Sequence, residues 1–376
     1  MKYMGSKRWM LQNGLGSALN LEAARAKRFV DLFAGSGAVA CYVAQKFDIP
    51  VLAFDLQKFS AVLTGAVISR TRGLSTDDIW KSWQQRARKI FNDAKPLITA
   101  KITKKTVEEC REWCDGREEL PITNAYGGYY FSPTQSVWID ALRRTLPKRV
   151  PDRTAALAAL IQAASQCAAA PGHTAQPFQS TRTAKKFLQD AWGRDIVERT
   201  RHLLCSLASQ RAQCVGRAKV ADANTAAKGL REGDLAFIDP PYSGVHYSRF
   251  YHVLETIARG ECGEVKGVGR YPAPMHRPRS KYSIGTMSAK ALDDLFATIS
   301  SKGARAVLTF PDHACSNGLS GDIVRKTAKK YFRISEEVVK SKFSTLGGNG
   351  RLSKTGKKGR AARQKANELI LVLQPK

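Results

Sequence analysis

Leu235-Ala236-Phe237-Ile238 runs without interruption into Asp239-Pro240-Pro241-Tyr242. The apolar tetrad predicts a strand buried on both faces. The two prolines fix φ and remove two backbone donors, so the chain must leave the sheet in a stiff loop. Such a loop holds one carboxylate and one aromatic ring at the carboxyl edge of a sheet, where open α/β folds keep their ligands. The Asp239 side chain and the Pro240 carbonyl can both accept hydrogen bonds from an amino group, while Tyr242 stacks on the ring that bears it. A planar base with an exocyclic amine suits this equipment. A Pro-rich turn following a strand is the plain structural alternative.

Asp-Pro-Pro-Tyr after a hydrophobic strand resembles motif IV of the S-adenosylmethionine-dependent DNA amino-methyltransferases, chiefly the N6-adenine enzymes with D12, Dam-like motif order. Outward from motif IV, Lys2-Tyr3-Met4-Gly5-Ser6-Lys7 looks like the family's motif X. The resemblance implies that Tyr3 packs against the methionine part of the cofactor and that Lys7 pairs with its carboxylate. Phe29 to Ala40 reads as a strand, a Gly-rich turn and the start of a helix, with Gly35 and Gly37 letting the backbone approach a ligand. Only Gly-x-Gly is present, which by itself is a weak signal. Asp31 before the turn and Phe33 within it match methyltransferase motif I better than a nicotinamide-binding loop. Val51 to Phe54 forms a second strand ending at Asp55, 20 residues beyond Gly35, where Rossmann-like folds place an acid on ribose hydroxyls. Leu56 then falls near the cofactor adenine. Ala218 to Asp222 resembles motif III, whose Asp, here Asp222, meets the adenine amino group.

These readings predict an α/β fold: a Rossmann-like, mostly parallel, seven-stranded methyltransferase sheet, closed by an antiparallel hairpin around Val338-Val339 and Leu369 to Leu373. Between residues 75 and 215 the β/α rhythm stops. Helical stretches at Thr76–Ala94, Pro133–Leu146, Arg153–Ala170 and Ala184–Ala212 predict an inserted, mainly helical domain, and Ser132-Pro133-Thr134-Gln135 is a strong helix start. The expected organisation is catalytic domain 1–74, inserted target-recognition domain 75–215, and catalytic domain 216–376. In the insertion Arg143, Arg144, Lys148, Arg149, Arg182, Lys185 and Lys186 suit phosphate contacts. The aromatic run from Tyr126 to Phe131 suits either base stacking or a core.

Of 376 residues, 61 are Lys or Arg and 32 are Asp or Glu, leaving a formal charge of +29. That excess predicts a polyanionic partner, nucleic acid by default. The beginning of the chain lacks the apolar core of a signal peptide, and no long apolar span is present, so a cytoplasmic protein of bacterial or phage origin, without membrane contact, is expected. The eight cysteines are scattered, with no zinc-finger spacing, so no metal is expected, and none follows a Pro as in cytosine-C5 enzymes, which argues against covalent catalysis on a pyrimidine ring. Tyr247, Arg249, Phe250 and Tyr251 follow motif IV as candidate contacts to an extrahelical base. Cys262 to Tyr282, with several Gly, Pro and basic residues, reads as a DNA-facing loop. Lys340 to Asn367 holds nine Lys/Arg and no acid, and Lys340, Lys342, Arg351, Lys354, Lys357, Lys358 and Arg360 are candidate phosphate contacts.

The resemblance implies methyl transfer from S-adenosylmethionine to adenine N6 of double-stranded DNA, with the base flipped out and Asp239, Pro240, Pro241 and Tyr242 as the catalytic loop. RNA adenine-N6 methylation, DNA cytosine-N4 methylation and a catalytically silent DNA-binding scaffold stand as alternatives. Whether a cognate restriction enzyme accompanies the protein stays open.

Overall fold

A computed structural model describes residues 5–98, 101–344 and 363–376, with the side chains of all of these except 341–344 and 363–365. Among them the strands are β1 (Arg28–Asp31), β2 (Val51–Asp55), β3 (Arg217–Val220), β4 (Asp234–Ile238), β5 (Val265–Lys266), β6 (Tyr271–Pro272), β7 (Arg305–Pro311), β8 (Phe332–Ser344) and β9 (Arg363–Pro375). The main sheet has seven strands in the order β3-β2-β1-β4-β7-β9-β8, while β5 and β6 form a small ribbon. β1 pairs in parallel with β2 and β4, and β4 in parallel with β7. β9 inserts antiparallel between β7 and β8, the closing hairpin anticipated from the sequence. Its strands are longer than the apolar runs suggested, since pairing continues to Ser344 opposite Arg363.

The chain divides into two compact units, Met4–Leu56 with Ala221–Val245 and Ser280–Lys376, and Gln57–Val220 with His246–Arg279. The first carries the site. Its strand β4 is buried along its whole length, as a central parallel strand covered on both faces must be. The helix Gly285–Ser301 buries Ser288, Ala291, Leu292, Leu295, Phe296 and Ile299, the three- and four-residue spacing that puts one apolar face on a sheet. That face packs with Ile238, Leu308 and Leu371 in one core. Removing a ring such as Phe296 from that core costs about 3–5 kcal/mol. At the far end of β4, Arg28 and Asp234 pair side by side, with Nε 2.9 Å from Oδ1. This fixes the end of the sheet opposite the site.

The second unit is mainly helical. Its hub, Val150–Cys167, is alanine-rich and buried on most of its circumference. Small side chains let Lys58–Ile68, Ile196–Ser209 and Tyr247–Arg259 approach it closely. Thus the unit that holds the 75–215 segment also holds Lys58–Ile68 and Tyr247–Arg259, which flank that segment in the chain. Ser132 and Gln135 form the anticipated capping box. The single helix expected over Ala184–Ala212 is two, Lys185–Trp192 and Ile196–Ser209. Asp195 caps the second by accepting from Val197 N (2.8 Å) and Glu198 N (3.0 Å), and a capping Asp starts a helix and does not continue one.

One reading left open for this unit is decided, and one expectation is corrected. Tyr126, Tyr130 and Phe131 are fully buried, so they are core and not a base-stacking wedge. The two tyrosine hydroxyls are used inside: Tyr126 meets Thr256 Oγ1 at 2.9 Å, and Tyr130 donates to the carbonyls of Thr174 and Gly269 at 2.7 and 2.9 Å. Arg143 does not serve phosphate. It donates to the carbonyls of Ile257 (2.7 Å), Ala258 (3.2 Å) and Arg259 (2.9 Å), satisfying the last turn of Tyr247–Arg259.

Candidate active site

Four backbone ends build the site in the sheet unit: those of β1, β2 and β4, and the stretch after β7. β1 ends at Asp31, which is 1% exposed and whose Oδ1 accepts from Phe33 N at 3.1 Å. That bond turns the chain into the glycine loop. Gly35 (φ 52°) and Gly37 (φ 76°) take left-handed conformations costly for any side chain, and Gly37 begins the helix Ala38–Lys46. Asp55, at the end of β2, accepts from Gly35 N through Oδ2 at 2.8 Å. The two acids anticipated for cofactor contact therefore also brace the loop from both sides. Phe33 packs edge-on to Tyr282 with centroids 5.1 Å apart, and Leu56 is partly exposed. Asp222 caps a short helix by accepting from Thr225 N at 3.1 Å. The Tyr282 hydroxyl, bound to Asn224 at 2.8 Å, is raised well above its ordinary pKa by burial and then by the Asp222 charge.

At the end of β4 the Asp239 carboxylate is held through one oxygen. Lys7 Nζ lies 2.9 Å from Oδ1, and Thr309 Oγ1, from β7, donates to the same atom at 3.0 Å. Lys7 is 5% exposed and also lies 3.5 Å from Glu368 Oε2 on β9. Burial pushes the Asp239 carboxyl up and the Lys7 charge pulls it back, with the net direction up. Burial alone lowers the Lys7 ammonium, but Asp239 and Glu368 outweigh it and raise its pKa above the ordinary lysine range. Both carboxylates thus keep Lys7 charged. The loop after Asp239 is braced as well: Asn317 Nδ2 donates to the Pro241 carbonyl (2.8 Å) and the Tyr282 carbonyl (2.9 Å), and Ser316 Oγ accepts from Gly244 N at 3.0 Å. Among the described residues no hydrogen bond takes Asp239 Oδ2 or the Pro240 carbonyl. Two acceptors are therefore positioned and unspent.

The site is acidic inside a strongly basic chain. Asp31 feels burial first and then the charges of Asp239 and Asp55, and its carboxyl is pushed up to about 8. A gathering of carboxylates with one buried ammonium suits a cationic ligand.

Sequence reasoning reached Asp31, Phe33, Gly35, Gly37, Asp55, Leu56, Asp222 and the loop Asp239–Tyr242, and the structure brings all of them to this one edge of the sheet unit. It missed Thr309, Glu368, Asn317 and Ser316. Only Thr309, within the apolar run Val307 to Phe310, carried a positional hint. Lys7 was expected on a cofactor carboxylate; its partners here are Asp239 and Glu368. Tyr3 lies outside the described residues, as do Arg351, Lys354, Lys357, Lys358 and Arg360, and Lys342 is described only in its backbone. Lys340 is exposed on β8. In the helical unit Tyr247 is half-buried and Arg249 exposed, but Tyr251 is 1% exposed with its ring 5.5 Å from Phe59. The expectation that Tyr251 faces nucleic acid is corrected: a kink at Tyr251 (φ −129°) accompanies a ring turned into the core.

The family model for the D12 class of N6 adenine-specific DNA methyltransferases matches residues 3–300. The modification methylase LlaI of Lactococcus lactis subsp. lactis is 25% identical over 319 residues, covering 80% of this chain and 44% of that relative. The chain thus spans less than half the length of this curated relative. Among the described residues no helix is long and apolar enough to cross a membrane.

Proposed function

Because the chain belongs to the D12 class of N6 adenine-specific DNA methyltransferases, we propose that it transfers the methyl group of S-adenosylmethionine to adenine N6 in double-stranded DNA. The observation that carries this reading is the anchoring of Asp239. Lys7 and Thr309 hold Oδ1, leaving Oδ2 and the Pro240 carbonyl as a pair of acceptors. An adenine amine is a poor nucleophile because its lone pair is delocalised into the ring. Hydrogen bonds from its two N–H groups to Oδ2 and the Pro240 carbonyl draw the nitrogen toward tetrahedral geometry and return the lone pair to it. The ionised Asp239 also stabilises the positive charge that grows on the nitrogen, so positioning and electrostatics carry the catalysis. Tyr242 stacks on the base, offsetting about 1–3 kcal/mol of the cost of taking it out of the helix.

The acidic edge fits the cofactor's cationic character. Asp55 would hold the ribose hydroxyls, Asp222 the adenine amine, Leu56 and Phe33 the adenine faces, and the Gly35–Gly37 turn the methionine part. Bound there, S-adenosylmethionine supplies an electrophilic methyl group on a sulfonium. The 75–215 segment is assigned target recognition from its place between motifs I and IV. The name of the relative, a modification methylase, supports a role beside a cognate restriction enzyme.

The test is incubation with labelled S-adenosylmethionine and unmethylated duplex DNA, followed by digestion and mass spectrometry of the nucleosides. N6-methyladenine is expected; labelled N4-methylcytosine, or label in RNA alone, overturns the assignment. Asp239→Ala should abolish transfer and spare cofactor affinity. Near-normal turnover by that variant would remove Asp239 from its role.

A further inference from the structure

The ribbon β5–β6 and the turn after it look unlike ordinary surface loop. The root is held tightly. Arg270, in a left-handed conformation (φ 52°), donates to the carbonyls of Ala125 (2.8 Å) and Asn124 (3.0 Å). The Gly269 carbonyl takes His252 Nε2 at 3.0 Å and the Tyr130 hydroxyl at 2.9 Å, and Tyr271 donates to the Ala175 carbonyl. A side chain at Gly269 would overlap the Tyr271 ring and the Ala175 carbonyl. Yet this rigid root presents a tip that costs free energy in water. Met275, in the one-turn helix Pro274–His276, is 84% exposed, directly after Pro272-Ala273-Pro274.

Around the tip stand cations without counter-charges. Arg249 and Arg277 both lie over the Tyr271 ring, at 4.9 and 5.6 Å from its centroid. Arg277 Nε and His246 Nδ1 are buried with no hydrogen-bond partner. Burial, and then the charges of Arg279 and Arg277, hold the His246 imidazole below its ordinary range. Among the described residues no carboxylate pairs with Arg249, Arg277 or Arg279. Elsewhere in the same unit Arg149 and Arg259 do find acidic partners. Gathering like charges around one aromatic ring, with polar atoms left unsatisfied, is unfavourable unless an anion completes the set.

We propose that Arg249, Arg277 and Arg279 clamp consecutive phosphodiesters of duplex DNA, and that Met275 enters the base stack beside them. The clamp rests on the methyltransferase reading for its purpose, holding a strand while one base is withdrawn, but not for its chemistry. Guanidinium forks match phosphate oxygens, and an exposed apolar side chain beside cations suits wedging a base step. His246 adds to this face a neutral polar atom, Nδ1, buried without a hydrogen-bond partner.

The experiment measures binding of the full chain to duplex DNA across a salt series. The variant Arg249→Ala/Arg279→Ala removes two exposed cations, and Lys290→Ala/Lys330→Ala, whose ammonium groups pair with Asp294 and Asp293, is the charge-matched control. Each lost phosphate contact lowers the slope of log K against log salt by about 0.9, so the clamp variant should lose about 1.8 and the control nothing. Cofactor affinity should match wild type in both, which separates the effect from misfolding. With 2-aminopurine replacing the adenine that the wild type methylates, Met275→Ala should lower the fluorescence gain on binding, and Met275→Leu should restore it. Equal slopes for clamp variant, control and wild type overturn the clamp while leaving the methyltransferase reading intact. Unchanged fluorescence in Met275→Ala overturns the wedge. A wild type with the clamp-dependent slope but no methyl transfer supports the clamp and overturns the methyltransferase reading.

Discussion

Replacing Lys7 with Met removes the buried cation while keeping much of the side-chain volume, and leaves Asp239 facing Glu368 without it. At the 2.9 Å separation of Lys7 Nζ and Asp239 Oδ1, the gross attraction is about 6 kcal/mol for an effective dielectric constant of about 20. Truncating one partner of a buried pair costs a net of about 3–5 kcal/mol. The loss is divided between stability and protonation. The Asp239 carboxyl already lies above its ordinary value, and the Lys7 ammonium is what pulls it down. Without Lys7 it climbs further, and since the ionised form is the working one, activity fails at a higher pH as pH falls. The acid limb of kcat against pH should move up by at least about 1 unit, equivalent to about 1.4 kcal/mol. Lys7→Arg, which keeps the charge, should move it less. The sign for folding is separate. Lys7 has a folded pKa above its unfolded one, so its contribution is complete below the unfolded value and disappears only as pH rises through the folded one. The assays are a pH–rate profile with duplex DNA and a thermal melt. An unshifted acid limb together with a wild-type melting temperature would refute the claim that Lys7 sets the state of Asp239.

Three further outcomes follow from the same reasoning. Asp31 keeps its proton to about 8 in the folded chain but loses it near 4 when unfolded, so stability should fall as pH rises between those values. Asp31→Asn should flatten that slope in urea melts taken from pH 5 to pH 8. His252, buried between the Arg249 and Gly269 carbonyls, is lowered to about 4, chiefly by burial. The unfolded chain therefore binds its proton first, stability should fall as pH drops from about 6.5 to 4, and His252→Gln should show less of this loss by circular dichroism. Gly269→Ala forces a methyl group into the Tyr271 ring and the Ala175 carbonyl, and should cost about 1–3 kcal/mol in a denaturant melt with little change in cofactor affinity.

What was legible in the sequence was local. An apolar tetrad followed by two prolines cannot continue as a strand, so Asp239 had to sit at a sheet edge. Gly35 and Gly37 permit the left-handed turn that follows β1, and Ser132 with Gln135 starts a helix wherever the rest of the chain lies. These are properties of a few neighbouring residues, and their physics needs no distant partner. The order of motifs along the chain extended that reading to a family and a seven-stranded sheet. What needed the tertiary structure was everything decided by residues far apart. Thr309 and Glu368 come to the edge where Asp239 and Lys7 meet only because of the parallel pairing of β4 with β7 and the antiparallel pairing of β7 with β9. The aromatic run at Tyr126–Phe131 and the side chain of Arg143 looked equally suited to DNA or to the interior, since aromatic rings and guanidinium groups serve both. Burial chose between the two uses, and burial depends on what packs above a residue, here Thr256, Thr174 and the end of the helix Tyr247–Arg259, which no short window of sequence contains.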